Sequence, residues 1–147
     1  MLQINTITED QQRSIQNYKK VGIEFEFDND IVKVYQKRLV NGYILNQKEL
    51  HERAKEIFPD AKIQPNVFSL DVSQITVEWI NEKMNEFGIK RNDLVKQLAL
   101  DKSYISRLFS DENNQFKINL TNQVKSMFYY YFLTYELNRD FREYLDQ

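Results

Sequence analysis

The chain has 147 residues, 41% apolar and 29% charged, with a net charge of −2, which fits one soluble globular domain or two small ones and excludes a disordered polyelectrolyte. It has no cysteine and one histidine, His51, which excludes disulfides, thiolate metal sites and multi-histidine metal centres and makes the cytoplasm the expected setting. No run approaches the roughly 18 apolar residues of a membrane span, and Met1-Leu2-Gln3-Ile4-Asn5 lacks the apolar core of a signal peptide.

Residues 1–20 are polar, with Thr8-Glu9-Asp10-Gln11 able to form a capping box and Ile15 and Tyr18 as inward anchors. A short helix and a loose arm are both compatible with them. Val21, Ile23, Phe25 and Phe27 then alternate with Gly22, Glu24 and Glu26, the pattern of a half-buried strand. Asp28-Asn29-Asp30 predicts a turn, and Ile31–Val40 a second extended run in which Lys33, Tyr35 and Lys37 share a face. Asn41-Gly42 predicts a tight hairpin with Tyr43-Ile44-Leu45 returning. Asn46 and Glu49 frame the start of a helix with Leu50, Ala54, Ile57 and Phe58 on its apolar stripe, and Pro59 ends it. Residues 62–70 look extended, with Pro65 implying an edge or bulge.

The predicted organisation is α+β. A small N-terminal antiparallel sheet with a covering helix spans residues 1–72. An all-α domain with a long aromatic-rich C-terminal helix follows over 73–147, joined by a linker at Asp71–Ile75. Thr76 caps a helix carrying Val77, Ile80, Met84 and Phe87, and Gly88 suits its end. Trp79 lies off that stripe and is expected against the N-terminal module. Leu94, Leu98, Leu100, Ile105 and Leu108 read as helix, break, helix, with the Asp101 carboxylate expected to cap the second segment. Ser110–Asn119 is a polar loop, and Thr121 caps the last helix. From Met127 to Leu137 nearly every residue is apolar or aromatic. Such a helix is either buried within the chain or shared with a second copy, for which Phe128, Tyr131, Phe132 and Tyr135 would form the interface. Phe141, Tyr144 and Leu145 continue its stripe.

Enzyme signatures are missing. Gly22, Gly42 and Gly88 are scattered, so no phosphate-cradling loop forms, and neither a nucleophile elbow nor HExxH occurs. No catalytic residue, metal or cofactor is expected. The acids Glu24, Glu26, Asp28 and Asp30 read as a solvated face, and Tyr129–Tyr131 as core rather than a base-stacking platform.

The segment Ile89, Asp93, Leu94, Leu98, Leu100, Ser103, Ile105, Ser106, Arg107 matches in order and spacing the helix-turn-helix of the Cro/C1-type phage repressors, which residues 77–132 therefore resemble. Departures are Ala99 where glycine is usual, Val95 where a small alanine is usual, and Lys90 at the cap. Residues 90–125 hold seven cations against four anions, a net of +3 that leaves −5 elsewhere. The resemblance implies a DNA-binding transcriptional regulator of phage or mobile-element origin. Lys102, Ser103, Tyr104, Ser106 and Arg107 would face the groove, and Arg91, Asn92 and Lys117 the phosphates. The partners expected are double-stranded DNA and a second copy of the chain. The alternative is a protein- or RNA-binding inhibitor of a host nuclease or defence complex, resembling anti-CRISPR proteins. It would use the helix-turn-helix as scaffold and engage protein or RNA through the N-terminal module.

Overall fold

The computed structural model describes residues 7–145, with side chains through residue 139. The expected stripe at Phe141, Tyr144 and Leu145 lies outside the described side chains. The architecture is α+β, and the chain divides between Ser69 and Leu70 into two compact units.

In the first unit, α1 (Glu9–Lys20) begins at a complete capping box: the Thr8 hydroxyl accepts from the Gln11 N–H, and the Gln11 amide oxygen accepts from the Thr8 N–H. A helix is thus what residues 9–20 form. β1 (Ile23–Asp28) and β2 (Ile31–Gln36) make an antiparallel hairpin. Its turn passes through Asn29 at φ 55°, a left-handed value that asparagine tolerates. β1 starts two residues later than the alternation suggested. Val21 terminates α1 and is 45% exposed, and Gly22 occupies the turn. α2 (Gln47–Ile57) carries a second complete box, Asn46 with Glu49, and buries Leu50, Ala54 and Ile57.

β3 (Lys62–Asn66) completes the sheet in the order β1-β2-β3 and runs parallel to β2. The sheet is therefore mixed where an antiparallel one was expected, because α2 acts as the crossover between two parallel strands. Pro65 sits on an edge strand, the position where a missing N–H is harmless. The expected return strand at Tyr43–Leu45 does not form. The buried side chain of Gln36 takes its place: its amide nitrogen donates to the Tyr43 carbonyl at 2.7 Å and its oxygen accepts from the Leu45 N–H at 2.8 Å. One side chain so satisfies two backbone groups that a ladder would otherwise pair. Tyr43 and Ile44 project outward.

The inner face of the sheet packs under α1 and α2. Ile23 and Val34 meet Leu50 and Ala54, and Val32 meets Ile57, Phe58 and Ala61. Phe25 and Phe27 approach Phe58 edge-on at 6.1 and 5.4 Å between centroids, a geometry aromatic rings prefer. The Gln11 amide nitrogen donates to the Ile57 carbonyl, tying α1 to the C-terminus of α2.

The second unit is helical. A 3₁₀ turn at Val72–Gln74, in which the Asp71 carboxylate accepts from the Ser73 N–H, leads into α3 (Val77–Phe87). The Thr76 hydroxyl caps α3, and Gly88 ends it at φ 68°. α4 (Arg91–Leu98), α5 (Lys102–Leu108) and α6 (Asn122–Leu145) follow. Ile80, Met84, Ile89, Leu94, Ile105 and Leu108 surround Phe128, Tyr131 and Phe132 in one core. Trp79, expected against the N-terminal module, packs its ring on Phe132 at 5.5 Å. Among the described residues no helix is long and apolar enough to cross a membrane.

Candidate nucleic-acid interface

The residues expected to contact DNA lie on a helical hairpin of α4 and α5. The first turn of α4 is fixed by the Asp93 carboxylate, which accepts from the Lys90 N–H at 2.8 Å. A negative side chain in that turn also complements the helix dipole. Residues 99–101 then turn the chain into α5. Ala99 holds φ 54° and ψ 38°, a left-handed conformation in which Cβ crowds the backbone. Ala99→Gly is expected to raise unfolding stability by about 1 kcal/mol, read from a denaturant midpoint shift at unchanged slope. A neutral or negative change would mean that glycine's greater unfolded-state freedom outweighs the relief.

Asp101 occupies the cap position of α5, but its carboxylate makes no capping bond; its backbone carbonyl accepts from the Ile105 N–H instead. α5 turns Ile105 and Leu108 into the core at 2% and 0% exposure. Because those two positions share one side of the helix, Lys102, Ser103, Ser106 and Arg107 are left exposed, and Tyr104 is half-buried. Partial burial pushes the Tyr104 hydroxyl above its ordinary pKa, so it is a neutral donor. At the start of α4, Arg91 and Asn92 are exposed, and the Arg91 guanidinium lies 5.0 Å from the centre of the Phe109 ring. That stacking holds its planar head beside the end of α5.

Two of the expected DNA-contacting cations have internal tasks. The Arg107 Nε donates to the Phe116 carbonyl at 2.8 Å. The Lys117 ammonium donates to the Leu108 and Ser110 carbonyls at 3.1 and 2.8 Å. α5 has no glycine at its C-terminus to fold the chain back onto its last carbonyls, so those acceptors need donors from elsewhere. Lys117 supplies them, and Arg107 fastens the following loop. The signal was present in the sequence as a helix end without glycine, followed nine positions on by a lysine. Asp111 and Glu112 stand exposed at the start of that loop and Phe116 at its end.

The aromatic helix is used from within. Phe128, Tyr131 and Phe132, left by the sequence between the chain's own core and a second copy, are 0%, 8% and 2% exposed in the core of their own unit. Tyr135 is partly buried and packs edge-on against Tyr131 of the same cluster. The reason is chemical as well as steric. The Tyr131 and Tyr135 hydroxyls donate to the same Gln97 amide oxygen at 2.6 and 2.7 Å. Buried tyrosine hydroxyls need such an acceptor, and Gln97 on α4 is a residue that apolar patterning passes over. Burial and the Tyr135 hydroxyl hold the Tyr131 phenol well above its ordinary pKa. His51 is half-buried on α2, and among the described residues no cluster of three or more acidic, histidine or cysteine side chains could hold a metal ion. No family model, no curated protein and no solved structure matches this chain.

Proposed function

We propose that the second unit binds double-stranded DNA through α4 and α5, and that the chain is a transcriptional regulator of the Cro/C1 type. One observation supports this above the others. α5 keeps Ile105 and Leu108 locked in the core while Lys102, Ser103 and Ser106 stand exposed on the same short helix. A helix of this kind fits a major groove, where short polar side chains and a flexible cation reach base edges. Lys102 and Ser103, at its start, are the base-reading candidates. Arg91 and Asn92 are the phosphate contacts. Arg107 contributes to the interface chiefly by fixing the loop after α5, and Lys117 acts as a brace in place of a phosphate contact.

Binding to genomic fragments, followed by anisotropy across salt, tests the proposal. With about one to two phosphates neutralised, by Arg91 and in part by Lys102, affinity is expected to fall roughly three- to twelvefold between about 50 and about 200 mM salt. Lys102→Ala/Ser103→Ala, at two exposed positions, is expected to lose about tenfold or more on the preferred fragment. Equal binding by wild type and this variant rejects α5 as the reading element.

A further inference from the structure

The alternation along β1, β2 and β3 gives the first unit two unlike sheet faces. Ile23, Phe25, Val32, Val34 and Ile63 lie under the helices. The opposite face has Tyr35 on its central strand, with Lys33 two residues before it and Lys37 two after. The pairing register sets Glu24 and Asn66 on either side of Tyr35, and Glu26 and Gln64 on either side of Lys33. Lys62 on β3 and Asp28 on β1 flank Ile31. Glu26, Asp28, Lys37, Lys62 and Gln64 are exposed, and Tyr35, Lys33, Glu24 and Asn66 are half-buried. The Lys37 ammonium sits 4.3 Å from the Tyr35 ring centre, and Lys33 lies 3.6 Å from Asp28.

The charges on this face are segregated. The carboxylates form one row, on β1, and the ammonium groups lie along β2 and β3 around an aromatic ring. Three ammonium groups balance three carboxylates, and a polyanion would meet the cations on the β2–β3 side, where Lys37 and Lys62 are exposed. Sequence-tolerant recognition of unpaired bases needs an aromatic surface with cations beside it. The amides of Gln64 and Asn66, the latter with its nitrogen donating to the Gln64 carbonyl at 3.2 Å, and the carboxylates of Glu24 and Glu26 are suited to the donors of unpaired base edges, the N3–H of uracil or thymine as well as the amino groups of cytosine and adenine. A duplex would hide its base faces from Tyr35. The Lys37 ammonium lies over the ring, so a base stacking on Tyr35 would have to displace it, toward the backbone phosphate of the same nucleotide. An acidic peptide would meet the lysines but leave the ring and both amides unused.

We propose that the open face of this sheet binds single-stranded nucleic acid, one base stacking on Tyr35 and the backbone running beside Lys33, Lys37 and Lys62. This site is separate from α5 and does not depend on the function proposed for it.

The test is anisotropy of the full chain with labelled oligo-U and oligo-dT of about 10 nucleotides, a length that spans one such platform. Wild type is expected to bind both, and affinity to fall roughly twentyfold between about 50 and about 200 mM salt, as three phosphate contacts require. Tyr35→Ala is expected to lose about tenfold or more, and Tyr35→Phe, which keeps the ring, to remain within about twofold. Lys62→Glu, at an exposed edge position, is expected to weaken binding and carries the test if Tyr35→Ala fails to fold. A preference for the RNA strand adds a 2′-hydroxyl contact to the same site, and equal binding rests it on base and phosphate; either supports the proposal. It is overturned if wild type leaves both oligonucleotides free at the lower salt, if Tyr35→Ala and Lys62→Glu bind as wild type does, or if Lys102→Ala alone abolishes binding.

Discussion

Phe128→Ala is expected to cost the helical unit about 3–5 kcal/mol, the range for deleting a fully buried phenyl ring. Phe128 has no exposed surface, and its ring stacks on Phe132 at 5.9 Å within the core that joins α3, α4, α5 and α6. Alanine would leave a void the size of the ring, bounded by four helices that cannot all close on it. For a unit of this size the loss corresponds to a fall of about 10 °C or more in the thermal midpoint. It would consume a large share of the stability ordinary small domains possess. Tyr130→Ala, at a position 38% exposed, is expected to cost less than about 1 kcal/mol. The comparison also tests how the aromatic helix is used. If its large rings serve the chain's own core, both midpoints are independent of protein concentration. Were the rings shared between copies, the midpoint would rise with concentration. A concentration-dependent Phe128→Ala effect would therefore reverse the assignment of this face to the chain's own interior.

The starts of α2 and α3 and the capping box that opens α1 were legible because their causes are local, whereas the Asp101 cap expected for α5 does not form. Thr8 with Gln11, Asn46 with Glu49 and Thr76 each satisfy orphan N–H groups within one turn, so a few adjacent letters carry the whole effect. Gly88 was legible for the same reason: a single residue without Cβ permits the left-handed helix end. The division of α5 into buried Ile105 and Leu108 and exposed Lys102, Ser103 and Ser106 followed from helical spacing alone. What could not be read depends on distant partners. The strand at Lys62–Asn66 could pair with either side of the hairpin in either direction, and α2 between the strands decides for parallel. Asn41-Gly42 carries a hairpin signal of ordinary strength, yet Gln36 supplies from its side chain the bonds a return strand would have made. The assignment of Arg107 to the groove and of Lys117 to a phosphate treated both as free surface charges. Their acceptors are the Phe116 carbonyl for Arg107 and the Leu108 and Ser110 carbonyls for Lys117; charge alone does not distinguish a brace from a contact, and the one local sign was the end of α5 without a glycine.

Gly22→Ala is expected to be the most damaging small substitution in the first unit, costing about 3 kcal/mol or more. Two separate effects add there. Gly22 holds φ +88°, outside the range an L side chain adopts without strain. A Cβ built on it would also stand 2.4 Å from the Arg38 carbonyl oxygen, closer than any real contact of that kind. The neighbour is backbone, so it cannot rotate away. The same crossing is stitched by the Gly22 carbonyl, which accepts from the Lys37 N–H at 2.8 Å and the Arg38 N–H at 3.3 Å. The Arg38 guanidinium further bonds the Lys19 carbonyl at 2.9 Å. Moving the chain to admit a methyl group breaks contacts that join the end of α1 to the end of β2. Gly88→Ala separates the two effects. Its φ is +68°, but an added Cβ meets nothing within 4 Å, so only the conformational cost of about 1–2 kcal/mol applies. Denaturant unfolding of both variants gives the comparison. A loss at Gly22 clearly above that at Gly88 assigns the excess to the blocked approach of Arg38. Equal losses would mean that residues 37–40 yield easily, and that the path leaving β2 is far softer than its hydrogen bonds imply.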